Sequence, residues 1–123
     1  MKKILVAEDD KFLANAYRVK LTKANFEVKI VNDGDEAIET LKVFVPDLII
    51  LDLVMPGMDG FSVLETIKSS EEYKNIPVLV ASNLGESEDI VKATKLGAND
   101  YIVKTELSMK KLIEKINSIL GNS

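Results

Sequence analysis

The chain is punctuated by short, unbroken apolar runs. Ile4-Leu5-Val6-Ala7, Leu48-Ile49-Ile50-Leu51, Val78-Leu79-Val80-Ala81 and Tyr101-Ile102-Val103 carry no polar alternation. The four consecutive aliphatics Leu48 to Leu51 suit a central parallel strand buried on both faces. Phe26-Glu27-Val28-Lys29-Ile30 does alternate apolar with charged, and reads as an edge strand with one wetter face. Between these runs the apolar period becomes helical. Leu13, Tyr17, Leu21 and Ala24 make a first buried stripe, with Arg18, Lys20 and Lys23 toward water. Ala37, Ile38, Leu41 and Val45 make a second, halted before Pro46, and Phe61, Leu64 and Ile67 a third. Glu86 to Leu96 reads as a fourth helix stopped at Gly97, and Leu112, Ile116, Ile119 and Leu120 give a fifth that ends at Gly121. Asp10 and Ser108 are placed to cap the first and last helices. Strand and helix thus alternate five times, which predicts an α/β fold: an open five-stranded parallel sheet flanked by five helices.

Parallel strands all point one way, so the residues just beyond their ends share one rim of the sheet, where ligands bind in such folds. That rim carries Glu8 and Asp9 after the first strand, Asp52 after the third, Ser82 after the fourth and Lys104 after the fifth. Asp52 alone would as readily cap a turn, because Met55-Pro56-Gly57-Met58-Asp59-Gly60 after it is turn chemistry. Its company argues for a site. Carboxylates crowded together repel and are tolerated with a cation between them. An all-oxygen set without His or Cys indicates a hard ion, and Mg2+ fits best. Asp9 and Asp52 are the expected direct ligands, with Glu8 acting directly or through water and the Val54 backbone carbonyl as a further donor. With such an ion and the Lys104 ammonium neutralising phosphoryl oxygens, and the Ser82 hydroxyl donating to one of them, Asp52 becomes a competent nucleophile toward phosphorus. The chemistry expected is an aspartyl phosphate on Asp52.

Composition narrows the setting. At 123 residues the chain is expected to be one domain, 1–123, with no repeat or linker. Cys is absent, which excludes a disulfide framework and a thiolate metal site. The apolar runs are strand-length, too short for a membrane span, and the stretch between Lys3 and Glu8 is too short for a signal-peptide core, so the expected location is the cytoplasm. Lys and Arg number 16 against 20 Asp and Glu, a net charge of −4 that argues against a nucleic-acid surface. His is also absent, so any imidazole phosphocarrier must come from another molecule.

The acidic pair after Ile4-Leu5-Val6-Ala7, the turn Asp52-Leu53-Val54-Met55-Pro56-Gly57-Met58-Asp59-Gly60, Ser82, and Tyr101-Ile102-Val103-Lys104 closely resemble the receiver domain of bacterial two-component response regulators, of the single-domain chemotaxis type. The resemblance covers essentially the whole chain. It implies the flavodoxin-like strand order 2-1-3-4-5, an order that chemotaxis receivers are known for and that the periodicity of this chain does not by itself specify. It implies a phosphoryl group arriving on Asp52 from a phosphohistidine of a histidine kinase or histidine phosphotransfer protein. It also implies a switch in which Ser82 moves toward the phosphate and Tyr101 changes rotamer. The altered face of helix four, strand five and helix five then meets a downstream output protein or domain. The chain would catalyse only its own phosphorylation and dephosphorylation, and would be a monomer or a weak phosphorylation-dependent dimer, without membrane or nucleic-acid contacts. Two departures stand out. Thr105 follows Lys104 where the family usually has a cis-linked Pro, so a trans bond is expected. Asn83 follows Ser82 where a small residue is usual. Two competing readings are a haloacid-dehalogenase-like phosphatase and a receiver-like module that is never phosphorylated. The first needs an acid two residues after the nucleophile, where this chain has Val54. The second sits poorly with an intact set of acid, Ser and Lys.

Overall fold

The computed structural model describes residues 1–121. In chain order the elements are β1 (Lys3–Ala7), α1 (Lys11–Lys23), β2 (Glu27–Val31), α2 (Gly34–Leu41), β3 (Leu48–Leu51), α3 (Gly60–Ser69), β4 (Val78–Ser82), α4 (Ser87–Lys95), β5 (Asp100–Val103) and α5 (Met109–Leu120). A 3-10 turn over Lys104–Glu106 joins the last two. The five strands form one parallel sheet in the order β2-β1-β3-β4-β5. The alternating strand is therefore an edge strand, and the unbroken aliphatic run Leu48–Leu51 is the central one, buried throughout.

Side chains alternate across each strand and so divide the core in two. Leu5, Ala7, Ile49, Leu51, Val78 and Val80 face Ala37, Leu41, Val63, Leu64, Ile67 and Ala93 of α2, α3 and α4. Ile4, Val6, Leu48, Ile50, Leu79 and Ile102 face Tyr17 and Leu21 of α1 and Leu112 and Ile116 of α5. The same parity carries Glu8, Asp52 and Lys104, each two residues beyond a member of the second set, to the α1 and α5 side of the rim.

Caps fix where the helices begin. Asp10 accepts from the Phe12 and Leu13 N–H groups, Asp33 from Glu36, Asp59 from Ser62 and Ser108 from Lys111. Helix α2 ends at Leu41, short of the expected Pro46 boundary. Val45 is 54% exposed and leaves the predicted stripe, because the chain turns at Lys42 and Val43 to reach β3. Ile119 and Leu120 are only half-buried. All peptide bonds of the described residues are trans, Lys104–Thr105 included. Among the described residues no helix is long and apolar enough to cross a membrane.

Candidate functional site

β1 and β3 are paired so that Ala7 lies opposite Leu51, and the Asp52 N–H donates to the Ala7 carbonyl at 3.1 Å. Glu8 and Asp52 consequently leave the sheet side by side. β4 and β5 pair Ser82 with Val103, which puts Lys104 on the same rim. Behind Asp52 the chain must turn back at once into α3. Gly60 permits this, since a Cβ there would stand 2.2 Å from the Leu53 Cα and 2.6 Å from the Asp52 carbonyl oxygen. Gly57, at φ +77°, supplies the left-handed step within that turn.

The result is an ion cluster at the floor of a cavity of about 390 Å³, lined by Asp9, Asp10, Asp52, Val54, Asn83 and Lys104. Asp52 is 4% exposed and Glu8 1%. The Lys104 ammonium lies between them, 2.7 Å from Glu8 Oε1 and 2.8 Å from Asp52 Oδ2. The other oxygens are also held: Glu8 Oε2 accepts from the Asp10 N–H at 3.0 Å and Asp52 Oδ1 from the Val54 N–H at 3.1 Å. Burial pushes the Glu8 carboxyl above its ordinary range, and the Asp52 charge adds to that, against the lowering by Lys104 and the Asp10 N–H. Burial alone would lower the Lys104 ammonium, but its bonds to Asp52 and Glu8 raise it overall.

Glu8, Asp9 and Asp52 each offer an oxygen within 4.8 Å of the others, and Asp9 is exposed at the mouth. A carboxylate set of that span, with neither His nor Cys in the chain, fits a hard divalent cation such as Mg2+. Val54, the expected carbonyl donor, lines the same cavity.

Ser82 does not join this group. It is fully buried, lies outside the cavity lining, and its hydroxyl oxygen accepts from the Leu84 N–H at 3.3 Å. The Tyr101 hydroxyl donates to the Leu84 carbonyl. Both residues predicted to switch therefore hold Leu84, one at its N–H and one at its C=O. Leu84 falls two residues after Ser82, where the family resemblance puts a variable position at the mouth of the site, but its part here is played by its backbone, which its side-chain type does not reveal. Asp10 was legible as a cap, but its second contact, through its own N–H to Glu8, was not.

Residues 4–117 match the family described as the response regulator receiver domain. The chain is 39% identical over 121 residues to the chemotaxis protein CheY of Treponema pallidum, covering 96% of this chain and 82% of that protein. It is 34% identical over 119 residues to the probable transcriptional regulator ycf27 of Cyanophora paradoxa, covering 97% of this chain and 48% of that protein. The chain spans about half the length of such transcriptional regulators. Among solved structures, the phosphorylated cyanobacterial phytochrome response regulator RcpA superposes with a TM-score of 0.83 at 35% identity, covering 96% of this chain and 90% of that one. The phosphatase alternative finds no support in these matches, and the chain belongs to the receiver domain family of response regulators, signalling modules with this sheet order.

Proposed function

We propose that residues 1–123 form one receiver domain acting in the cytoplasm, and that Asp52 accepts a phosphoryl group from a phosphohistidine on a histidine kinase or histidine phosphotransfer protein. The observation that carries this reading is the state of the Asp52 carboxylate. It is nearly buried at the floor of an open cavity and is bound through one oxygen by the Lys104 ammonium and through the other by a backbone N–H. An Asp52 oxygen forms the new bond to phosphorus while the bond from phosphorus to the donor imidazole nitrogen breaks, and the imidazole leaves with that electron pair. Lys104 then follows the negative charge outward to a phosphoryl oxygen. Glu8, Asp9, Asp52 and the Val54 carbonyl would hold Mg2+, which when bound neutralises charge on the phosphoryl oxygens. Ser82 donates its hydroxyl to another oxygen, which requires it to turn from the Leu84 N–H. That releases one side of the residue that Tyr101 holds on the other, and so passes the change to α4, β5 and α5, where a downstream partner binds. The domain acts as a catalyst only on its own phosphorylation and dephosphorylation. The phosphorylated relative supports the reading by likeness.

The test is to incubate the protein with Mg2+ and acetyl phosphate and weigh it. Wild type gains one phosphoryl group and Asp52→Asn gains none. Addition to Asp52→Asn would move the acceptor elsewhere, and no addition to wild type would favour a module that is never phosphorylated.

A further inference from the structure

Strand parity divides the rim as well as the core. Successive side chains along a strand point to opposite faces, so a residue just beyond a strand end keeps the side of the residue two before it. Glu8, Asp52 and Lys104 follow Val6, Ile50 and Ile102 in this way, all on the α1 and α5 side. On β4 the member of that set is Ala81, and the residue two beyond it is Asn83. Ser82 instead follows Val80, which packs toward α2, α3 and α4. This is why Ser82 is buried outside the cavity while Asn83 stands exposed in its lining. The strands β1, β3, β4 and β5 thus send Glu8, Asp52, Asn83 and Lys104 to one side of the rim.

The chemistry of the lining leaves Asn83 a distinct part. Asp9, Asp10 and Asp52 offer acceptors, the Val54 side chain is apolar, and Lys104 has one positive charge already shared by two carboxylates. Among the described residues that line the cavity, the Asn83 amide is the one neutral side-chain donor, with two N–H bonds to give. A phosphoryl group brings three outer oxygens, all acceptors, into a cavity lined by three carboxylates. The Ser82 hydroxyl reaches that group only after turning from the Leu84 N–H. Asn83 needs no such turn, because it lines the cavity already.

We propose that the Asn83 side-chain amide binds the phosphoryl group, donating an N–H to one of its oxygens. It does so while an Asp52 oxygen forms the new bond to phosphorus and the leaving atom of the phosphodonor departs with the electron pair of the bond that breaks. This rests on the assignment of Asp52 as acceptor. The contact is in place before Ser82 turns, so it acts on the transfer step as well as on the product.

The experiment compares wild type with Asn83→Ala and Asn83→Leu, one smaller than Asn and one of similar bulk, neither a donor. The side chain is exposed, so both variants are expected to melt with wild type. With Mg2+ and subsaturating acetyl phosphate, the rate of mass gain is expected to fall about fivefold in both. Affinity for beryllofluoride, a phosphoryl mimic, measured by calorimetry with Mg2+ present, is expected to fall by a similar factor while Mg2+ affinity stays the same. A wild-type or faster rate in either variant, an unchanged beryllofluoride affinity, or a loss matched by one in Mg2+ affinity overturns the inference while leaving Asp52 as acceptor. A faster Asn83→Ala in particular would make Asn83 an obstacle at the mouth and not a ligand. Failure of wild type to gain the phosphoryl group overturns both.

Discussion

Lys104 has two buried carboxylates to neutralise and one charge with which to do it. Its ammonium reaches both Glu8 and Asp52, and the deficit falls on Glu8, whose carboxyl is raised mainly by burial. The consequence for stability has a definite sign. Between the ordinary Glu8 value of 4.5 and its raised value in the fold, the native protein holds a proton that the unfolded chain has released. Glu8 therefore makes stability fall as pH rises through that window. Melting in metal-free buffer from pH 4.5 upward should show this decline in wild type and a weaker one in Glu8→Gln. Parallel profiles for the two proteins would mean that Glu8 is ionised at no cost.

At the scale of elements, the opposite end of the sheet is held by a cation that, among the described residues, pairs with no carboxylate. Lys68, near the end of α3, donates to the Ile76 carbonyl at 2.8 Å and to the Lys74 carbonyl and Asn99 Oδ1 at 3.2 Å each. Asn99 Oδ1 also accepts from the Val78 N–H at 2.9 Å. One ammonium thus joins the end of α3, the turn into β4 and the turn from α4 into β5. Its stem lies so close to Gly97, at φ +108°, that a Cβ there would sit 2.8 Å from the Lys68 Cγ. Lys68→Met keeps the stem and removes the donors, which should cost about 2 kcal/mol. Urea unfolding should show a lower midpoint with an unchanged slope, and acetyl phosphate should still modify Asp52, since the clasp lies away from the rim. An unchanged midpoint would mean that water serves these carbonyls equally well.

For the whole molecule, the proposed metal site would make folding and metal binding a linked equilibrium. The unfolded chain does not hold Glu8, Asp9 and Asp52 within 4.8 Å, so Mg2+ held by that set would bind the native state and stabilise it. At a hundredfold excess over its dissociation constant the gain is about 2.7 kcal/mol. The melting temperature should climb with Mg2+ in wild type and stay flat in Asp9→Ala, which removes the exposed carboxylate of the set. An equal rise in both proteins would place the ion elsewhere.

Local chemistry settled much of this protein before any fold was in view. Unbroken aliphatic runs such as Leu48–Leu51 can only be satisfied by cover on both faces, and the alternating Glu27–Val31 only by an edge. Asp10, Asp33, Asp59 and Ser108 cap helices through residues two or three positions away, so their effect is written in short segments. The acid and Lys types at the strand ends were legible for the same reason, because each ends its own strand. Distances between them were not. That Lys104 bridges Glu8 and Asp52 depends on strand register and side-chain parity across β1, β3 and β5. Ser82 facing Leu84 instead of the cavity depends on the conformation of the loop after β4, held at Leu84 by the Ser82 and Tyr101 hydroxyls. Val45 was lost from its stripe because a helical period continues on paper past the point where the chain turns toward β3. Tyr17 was legible as core, since its period is that of α1. Only the tertiary structure leaves its hydroxyl buried with no hydrogen-bond partner among the described residues, since that burial comes from packing between elements distant in sequence and from no local preference of the chain.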